Sequence, residues 1–258
     1  MDRITVYLAD WQVLFREGIH FTLSGEEDID VIGETTSNEE ALSFIETNSP
    51  HVAILNADKA KLSGIEITHR IKQNMPSVAI ILVMDVENEA LLFSAIKSGA
   101  SACATKDVDP DKLLNLIREV AQGGHPISTE LLKPGLALRV LDEFEACSLI
   151  SQQVGNLLAR LTPREAEILS HIGEGGSHEQ VASKLGISEE TVTNRLDLIV
   201  SKLVTNDHSR RLIESTQHGL IAGGPRIPLE HLEIEYITKD EFSEFKENLK
   251  KSLESLFG

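Results

Sequence analysis

Leu161–Leu203, LTPREAEILSHIGEGGSHEQVASKLGISEETVTNRLDLIVSKL, decides how the C-terminal half of the chain folds. It divides into three short helices, each with its own start signal. Thr162 stands at an N-cap with Pro163 at N1, where a missing N–H costs nothing, and Glu165 at N3 completes a capping box. Ser177 with Gln180 opens the second helix, and Gly186 fits the position just past its end. Ser188 caps the third, with Glu189 and Glu190 in the first turn, where the helix dipole favours negative charge. Only Gly186, Ile187 and Ser188 separate the second helix from the third, and so short a turn containing glycine predicts a helix-turn-helix.

The third helix has two faces. Val192, Leu196, Ile199 and Leu203 recur at helical spacing and should face a small core. The opposite face carries Glu190, Asn194, Asp197 and Ser201, with Thr193 beside them. In a helix-turn-helix that outward face enters the major groove of DNA. LTPRE, LGISEETVTN and the pair Lys202-Leu203 make the segment resemble the LuxR-type (NarL/FixJ) DNA-binding domain. The resemblance implies base contacts from Thr193, Asn194 and Asp197, and phosphate contacts from Lys202 and from groups near Ser188 and Thr191. Asn194 is the best direct reader, because an amide bonds adenine N6 and N7 together. Thr193 suits a thymine methyl or a phosphate, and Arg195, turned to the side, suits phosphates. Asp197 can accept from cytosine N4 but repels phosphates.

Composition bounds the rest. With 258 residues, two domains are expected, and 41% hydrophobic residues suffice for ordinary cores. No apolar run is long enough to span a bilayer, and Met1-Asp2-Arg3 leads into a strand, not a signal peptide, so a cytoplasmic protein is expected. Cys103 and Cys147 form no metal or redox pair by spacing, and the histidines show no ligand spacing, so neither a metal nor a cofactor is expected. Gly173-Glu174-Gly175-Gly176 is no phosphate cradle, and no catalytic constellation can be argued, so the chain is read as no enzyme. The net charge is −17, and residues 156–220 hold 7 basic against 9 acidic side chains, a poor footprint for an anionic ligand. Motif and charge therefore disagree: the first says DNA, the second says weak binding, or binding that needs a homodimer.

Residues 1–124 alternate strand and helix patterns. Strands are expected at 4–8, 29–33, 51–55, 78–83 and 102–105, and helices at 13–23, 37–47, 64–73, 88–98 and 109–121. Five such units predict an α/β doubly wound parallel sheet, flavodoxin-like, whose function lies at the carboxyl ends of its strands. Asp10, Asn56, Met84 and Lys106 stand there. ITVYLADWQVLFREGI, HVAILNADKAKLSGIEITHRIK and SGASACATKD resemble the receiver domain of two-component response regulators. With the C-terminal motif, the whole resembles the NarL/FixJ architecture. In that family two adjacent acids hold Mg²⁺, an aspartate takes a phosphoryl group, and a Thr or Ser and a Lys end the fourth and fifth strands.

The chain departs at most of these places. Trp11 follows Asp10 where a second acid is implied, Asn56 stands at the acceptor position, and Met84 at the Thr/Ser position. Cys103 replaces the aromatic that moves on activation, and only Lys106 remains from the switch side. An amide has no carboxylate oxygen with which to attack phosphorus. A degenerate receiver, independent of phosphorylation, is therefore expected. Lys106 should pair with Asp10 or Asn56 as a structural plug, Trp11 should pack into the vacated metal site, Asp58 should be a solvated loop charge, and Cys103 a small buried strand residue.

Residues 125–160 read as a helical connector broken at Pro134, packing within the monomer by default. The DNA-binding domain is expected over 161–220, with a fourth helix at 209–220 that supports dimerisation in the family. Residues 221–258 read as a strand at 231–237 and a final amphipathic helix carrying Phe242, Phe245 and Leu249, whose apolar face should bury against its own protein or a dimer mate, or else an external protein partner. The leading reading is a DNA-binding transcriptional regulator; the alternative is a protein-interaction regulator whose helix-turn-helix has little DNA affinity.

Overall fold

The period-2 alternation of the first strand sets the layering. In a computed structural model that describes residues 3–58, 63–153 and 158–222, Val6 and Leu8 point to one face of the sheet and Tyr7 and Ala9 to the other. Five strands, β1 (Ile4–Ala9), β2 (Ile29–Thr35), β3 (Val52–Asn56), β4 (Ala79–Met84) and β5 (Ala102–Thr105), pair in parallel in the order β2-β1-β3-β4-β5. The helices α1 (Val13–Ser24) and α5 (Pro110–Ala121) cover the Val6/Leu8 face. Helices α2 (Asn38–Asn48), α3 (Gly64–Asn74) and α4 (Glu89–Ser98) cover the other. β3 and β4 are buried along their whole length, as inner strands of a doubly covered sheet must be. Gly64 is required where α3 begins, because a Cβ there would collide with the carbonyl of Asn56.

A 3-10 segment (Pro126–Leu132) and α6 (Pro134–Gln153) follow, then α7 (Pro163–Gly173), α8 (His178–Leu185) and α9 (Glu189–Ala222). The described chain up to Ile213 is one compact unit. Its larger apolar cluster runs without a break from α2–α4 through Ile127, Leu131, Leu136 and Val140 to Ile168, Val181 and the α9 residues Val192, Leu196, Ile199 and Leu203. Packing of the connector inside the monomer is thus observed.

The structure corrects one element. The expected third and fourth helices of the C-terminal half are a single 34-residue helix, α9. Val204-Thr205-Asn206-Asp207 reads as a turn by composition, yet it contains neither Gly nor Pro, and its polar side chains are spent elsewhere. Thr205 donates back to the Ser201 carbonyl at 2.8 Å. Asn206, buried, accepts from the Ala159 amide at 2.7 Å and donates to the Ala159 carbonyl at 2.9 Å, supplying what that extended segment lacks. The strand and helix expected in 221–258 lie outside the described residues, as do 154–157 of the connector.

Asp207, Arg210 and Arg211 tie the middle of α9 to the sheet domain and α6 by charge. Asp207 accepts from Lys97 of α4 at 3.1 Å and lies 3.6 Å from His69 of α3. Glu143 of α6 bridges Lys97 at 2.7 Å and Arg210 at 2.8 Å, and Arg211 reaches Glu66 at 3.3 Å. Burial lowers the His69 pKa to about 4, with Arg211 and Lys97 assisting and Asp207 and Glu66 opposing. A histidine whose folded pKa lies below its unfolded value keeps its full contribution above about pH 6.5 and loses it as pH falls towards 4. The urea midpoint should therefore fall between pH 7 and pH 5, and less steeply in His69→Gln; equal slopes would place the acid sensitivity elsewhere.

Candidate functional site

The N-terminal half of α9 is built as the motif predicts. Thr162 with Glu165 and Ser177 with Gln180 both form complete capping boxes, and Gly186 ends α8 in the left-handed region at φ 65°. The Ser188 hydroxyl accepts from the Thr191 amide at 3.1 Å and meets the Thr191 hydroxyl at 2.8 Å, so both residues are engaged in capping α9. Val192, Leu196, Ile199 and Leu203 are fully buried, which turns Glu190, Asn194 and Ser201 to solvent. Thr193 is half-buried, its hydroxyl 3.3 Å from the Glu189 carbonyl and 3.4 Å from the His178 ring. Asn194, Arg195 and Asp197 have no side-chain hydrogen bond or ion pair among the described residues, so all three are available to a ligand.

Lys202 does not belong with them. Its ammonium lies 2.6 and 2.9 Å from the Glu165 carboxylate and 3.1 Å from the Arg160 carbonyl. These bonds lock α9 to the start of α7. Glu165 is the N3 member of the capping box, and at 1% exposure its carboxylate is stabilised by the cation.

The strand-end pocket of the sheet domain gathers Asp10, Asn56, Met84 and Lys106. The Asn56 amide nitrogen donates to Asp10 Oδ2 at 2.7 Å, and its oxygen accepts from the Asp58 amide at 2.8 Å. Lys106 Nζ reaches both Asp10 oxygens, at 3.2 and 3.1 Å, and Asp85 at 2.7 Å. The Gln12 amide takes the Asp10 carboxylate as well, at 2.7 Å. Lys106 is thus the plug expected. Trp11 does not fill the pocket: it is 54% exposed, with Lys106 Nζ 5.3 Å from its ring and 5.3 Å from that of Phe15. Asp58 is no free loop charge either, because its carboxylate accepts from the Asp85 amide at 2.7 Å and ties the two loops together. Burial pushes the Cys103 thiol well above its usual range, as for an inert strand residue.

Two families match the chain: the response regulator receiver domain over residues 6–118, and the bacterial regulatory proteins of the luxR family over 159–212. The transcriptional regulatory protein DegU of Brevibacillus brevis is 30% identical over 85% of this chain and 96% of its own length. The chain belongs to the response regulators. The transcriptional regulatory protein LnrK of Bacillus subtilis is similar to this response regulator at 29% identity, over 84% of the chain and 98% of LnrK. A solved structure of RcsB from Salmonella enterica serovar Typhimurium, bound to promoter rprA, is 22% identical, covering 80% of this chain and 98% of that one at a TM-score of 0.45.

The family implies Mg²⁺ beside the acceptor, and the residues of this response regulator do not fit it. Asp10 is the single carboxylate at the end of β1, and its oxygens are already taken by Lys106, Asn56 and the Gln12 amide. A divalent cation there would meet an ammonium, an amide N–H and the exposed indole of Trp11 in place of hard oxygens. Among the described residues no group of three or more potential His, Cys, Asp or Glu ligands gathers anywhere, and no helix is long and apolar enough to cross a membrane.

Proposed function

We propose that this response regulator controls transcription by binding duplex DNA through the first half of α9, and that phosphorylation at residue 56 does not set its output. The observation that carries the reading is the exposed, unpartnered Asn194 at the centre of a capped helix whose opposite face is buried. Asn194 reads a base, Arg195 meets phosphates, and Asp197 selects against phosphate-rich non-specific contact. The reading keeps a receiver at 1–124, a connector at 125–160, a DNA-binding domain at 161–220 and an extension at 221–258. It places the protein in the cytoplasm as a homodimer on two half-sites, and assigns it no catalysis of its own.

The test is a salt-dependent gel shift on a duplex selected from a randomised library. Asn194→Ala should cost about 1–3 kcal/mol on the selected site and little on random DNA. Asp197→Lys should strengthen binding to random DNA and steepen its salt dependence by about one ion. One observation favours a second reading, a protein-interaction regulator: the net charge of −17, with Glu190 and Asp197 on the reading face. If Asp197→Lys leaves every probe at background, the helix does not reach the groove and that second reading replaces the first.

A further inference from the structure

Cys103 and Ala104 of β5 have short side chains and line a cavity of about 280 Å³. It lies between the switch end of the sheet domain and the 3-10 segment that leads into α6. Its apolar part is Met84, Leu92 and Cys103, the first two almost fully buried. It is acidic on balance: Glu87, Asp107, Asp109 and Glu130 line it against Lys133 and Lys112. The Lys133 ammonium sits between two of those carboxylates, 2.5 Å from Glu87 and 2.8 Å from Glu130. Lys133 is therefore the protein's own occupant of a cation position at the rim of this cavity.

We propose that this cavity binds a small monocyclic aromatic amine. The volume lies near the lower end for ligand pockets, which limits the guest to one ring. The ring would rest against the Met84 thioether and the Cys103 sulfur, both soft and polarisable partners for an aromatic edge. The guest's ammonium would take the place of Lys133 between Glu87 and Glu130, and Lys133, partly exposed, would swing to solvent. A carboxylate guest would face four acids against two lysines and is disfavoured. Because Glu130 and Lys133 flank the join between the 3-10 segment and α6, occupancy would bear on the connector that packs against α7.

Calorimetric titration of the full chain tests this, with phenethylamine as the probe, phenylacetate supplying the ring with opposite charge, and ethylamine the charge without a ring. Phenethylamine should bind saturably, one per chain, and the other two at least about tenfold more weakly. Cys103→Phe, which fills the hole, should weaken phenethylamine at least about tenfold while a cooperative thermal transition shows it folded. Should it fail to fold, Glu130→Gln serves in its place and should weaken binding about three- to tenfold, whereas Lys133→Ala should strengthen it. No saturable binding, equal binding of phenylacetate, or wild-type affinity in a folded Cys103→Phe would each overturn the proposal. None of these readouts involves DNA, so the proposal stands or falls apart from the reading of α9.

Discussion

Lys202→Ala should lower the unfolding free energy by about 3 kcal/mol, near the cost of removing one partner from a buried ion pair. Glu165 is 1% exposed, and without Lys202 its carboxylate keeps Thr162, whose amide donates at 2.7 Å, but no cation. Burial alone would raise the Glu165 pKa, but hydrogen bonds from Lys202 and Thr162 outweigh it and hold it below the usual carboxylate value. For a carboxyl with a depressed folded pKa, the contribution is complete above the unfolded value, about 4.3, and is lost as pH falls through the folded one. The gap between wild type and variant should therefore be widest at neutral pH and shrink below about pH 4. Urea unfolding at pH 7 and pH 4 measures it. DNA binding should fall only in proportion to the folded fraction, with the salt slope unchanged. A variant of unchanged midpoint that binds every duplex more weakly, with a slope smaller by about one ion, would return Lys202 to the phosphates.

Lys202 illustrates what the sequence can and cannot disclose. The caps at Thr162, Ser177 and Ser188, the left-handed Gly186 and the buried stripe of Val192, Leu196, Ile199 and Leu203 were all legible, because each depends on neighbours within a turn or two. The burial of the inner strands was legible for the same reason: the apolar runs of β3 and β4 need no distant partner to be recognised. What was not legible depends on residues far away in the chain. Lys202 is claimed by Glu165, 37 positions earlier, and Asn206 by Ala159, 47 positions earlier. The second of these turns an apparent loop composition into helix. Trp11 was expected inside because it is large and apolar, but Lys106 and Asn56 already satisfy Asp10, so the indole lies outside over the ammonium. Asp58 looked solvated because its acceptor role concerns a backbone amide, that of Asp85, which no side-chain pattern announces.

Asn56→Asp should not make this response regulator take up phosphate, and it should destabilise the sheet domain. In the wild type the Asn56 amide nitrogen donates to Asp10 Oδ2 at 2.7 Å; an aspartate would set two carboxylate oxygens at that separation. One Lys106 ammonium, already shared with Asp85, cannot neutralise both. One of the pair would hold its proton well above the usual pKa, on the order of 2 kcal/mol of stability lost at neutral pH. The sign follows from a raised folded pKa: the variant is least affected below about pH 4 and loses stability as pH rises through the folded value. A protonated carboxyl is also a poor nucleophile, and the Met84 thioether offers no hydrogen bond to an incoming phosphoryl oxygen. Intact-mass measurement after incubation with acetyl phosphate and Mg²⁺ should find no added phosphoryl group on the wild type, and none of consequence on the variant. Robust labelling of Asn56→Asp would mean that the Asp10–Lys106 pair opens readily and that the amide alone silences the site. Labelling of the wild type within residues 54–60 would place the acceptor on Asp58 and remove the case for a phosphorylation-independent output.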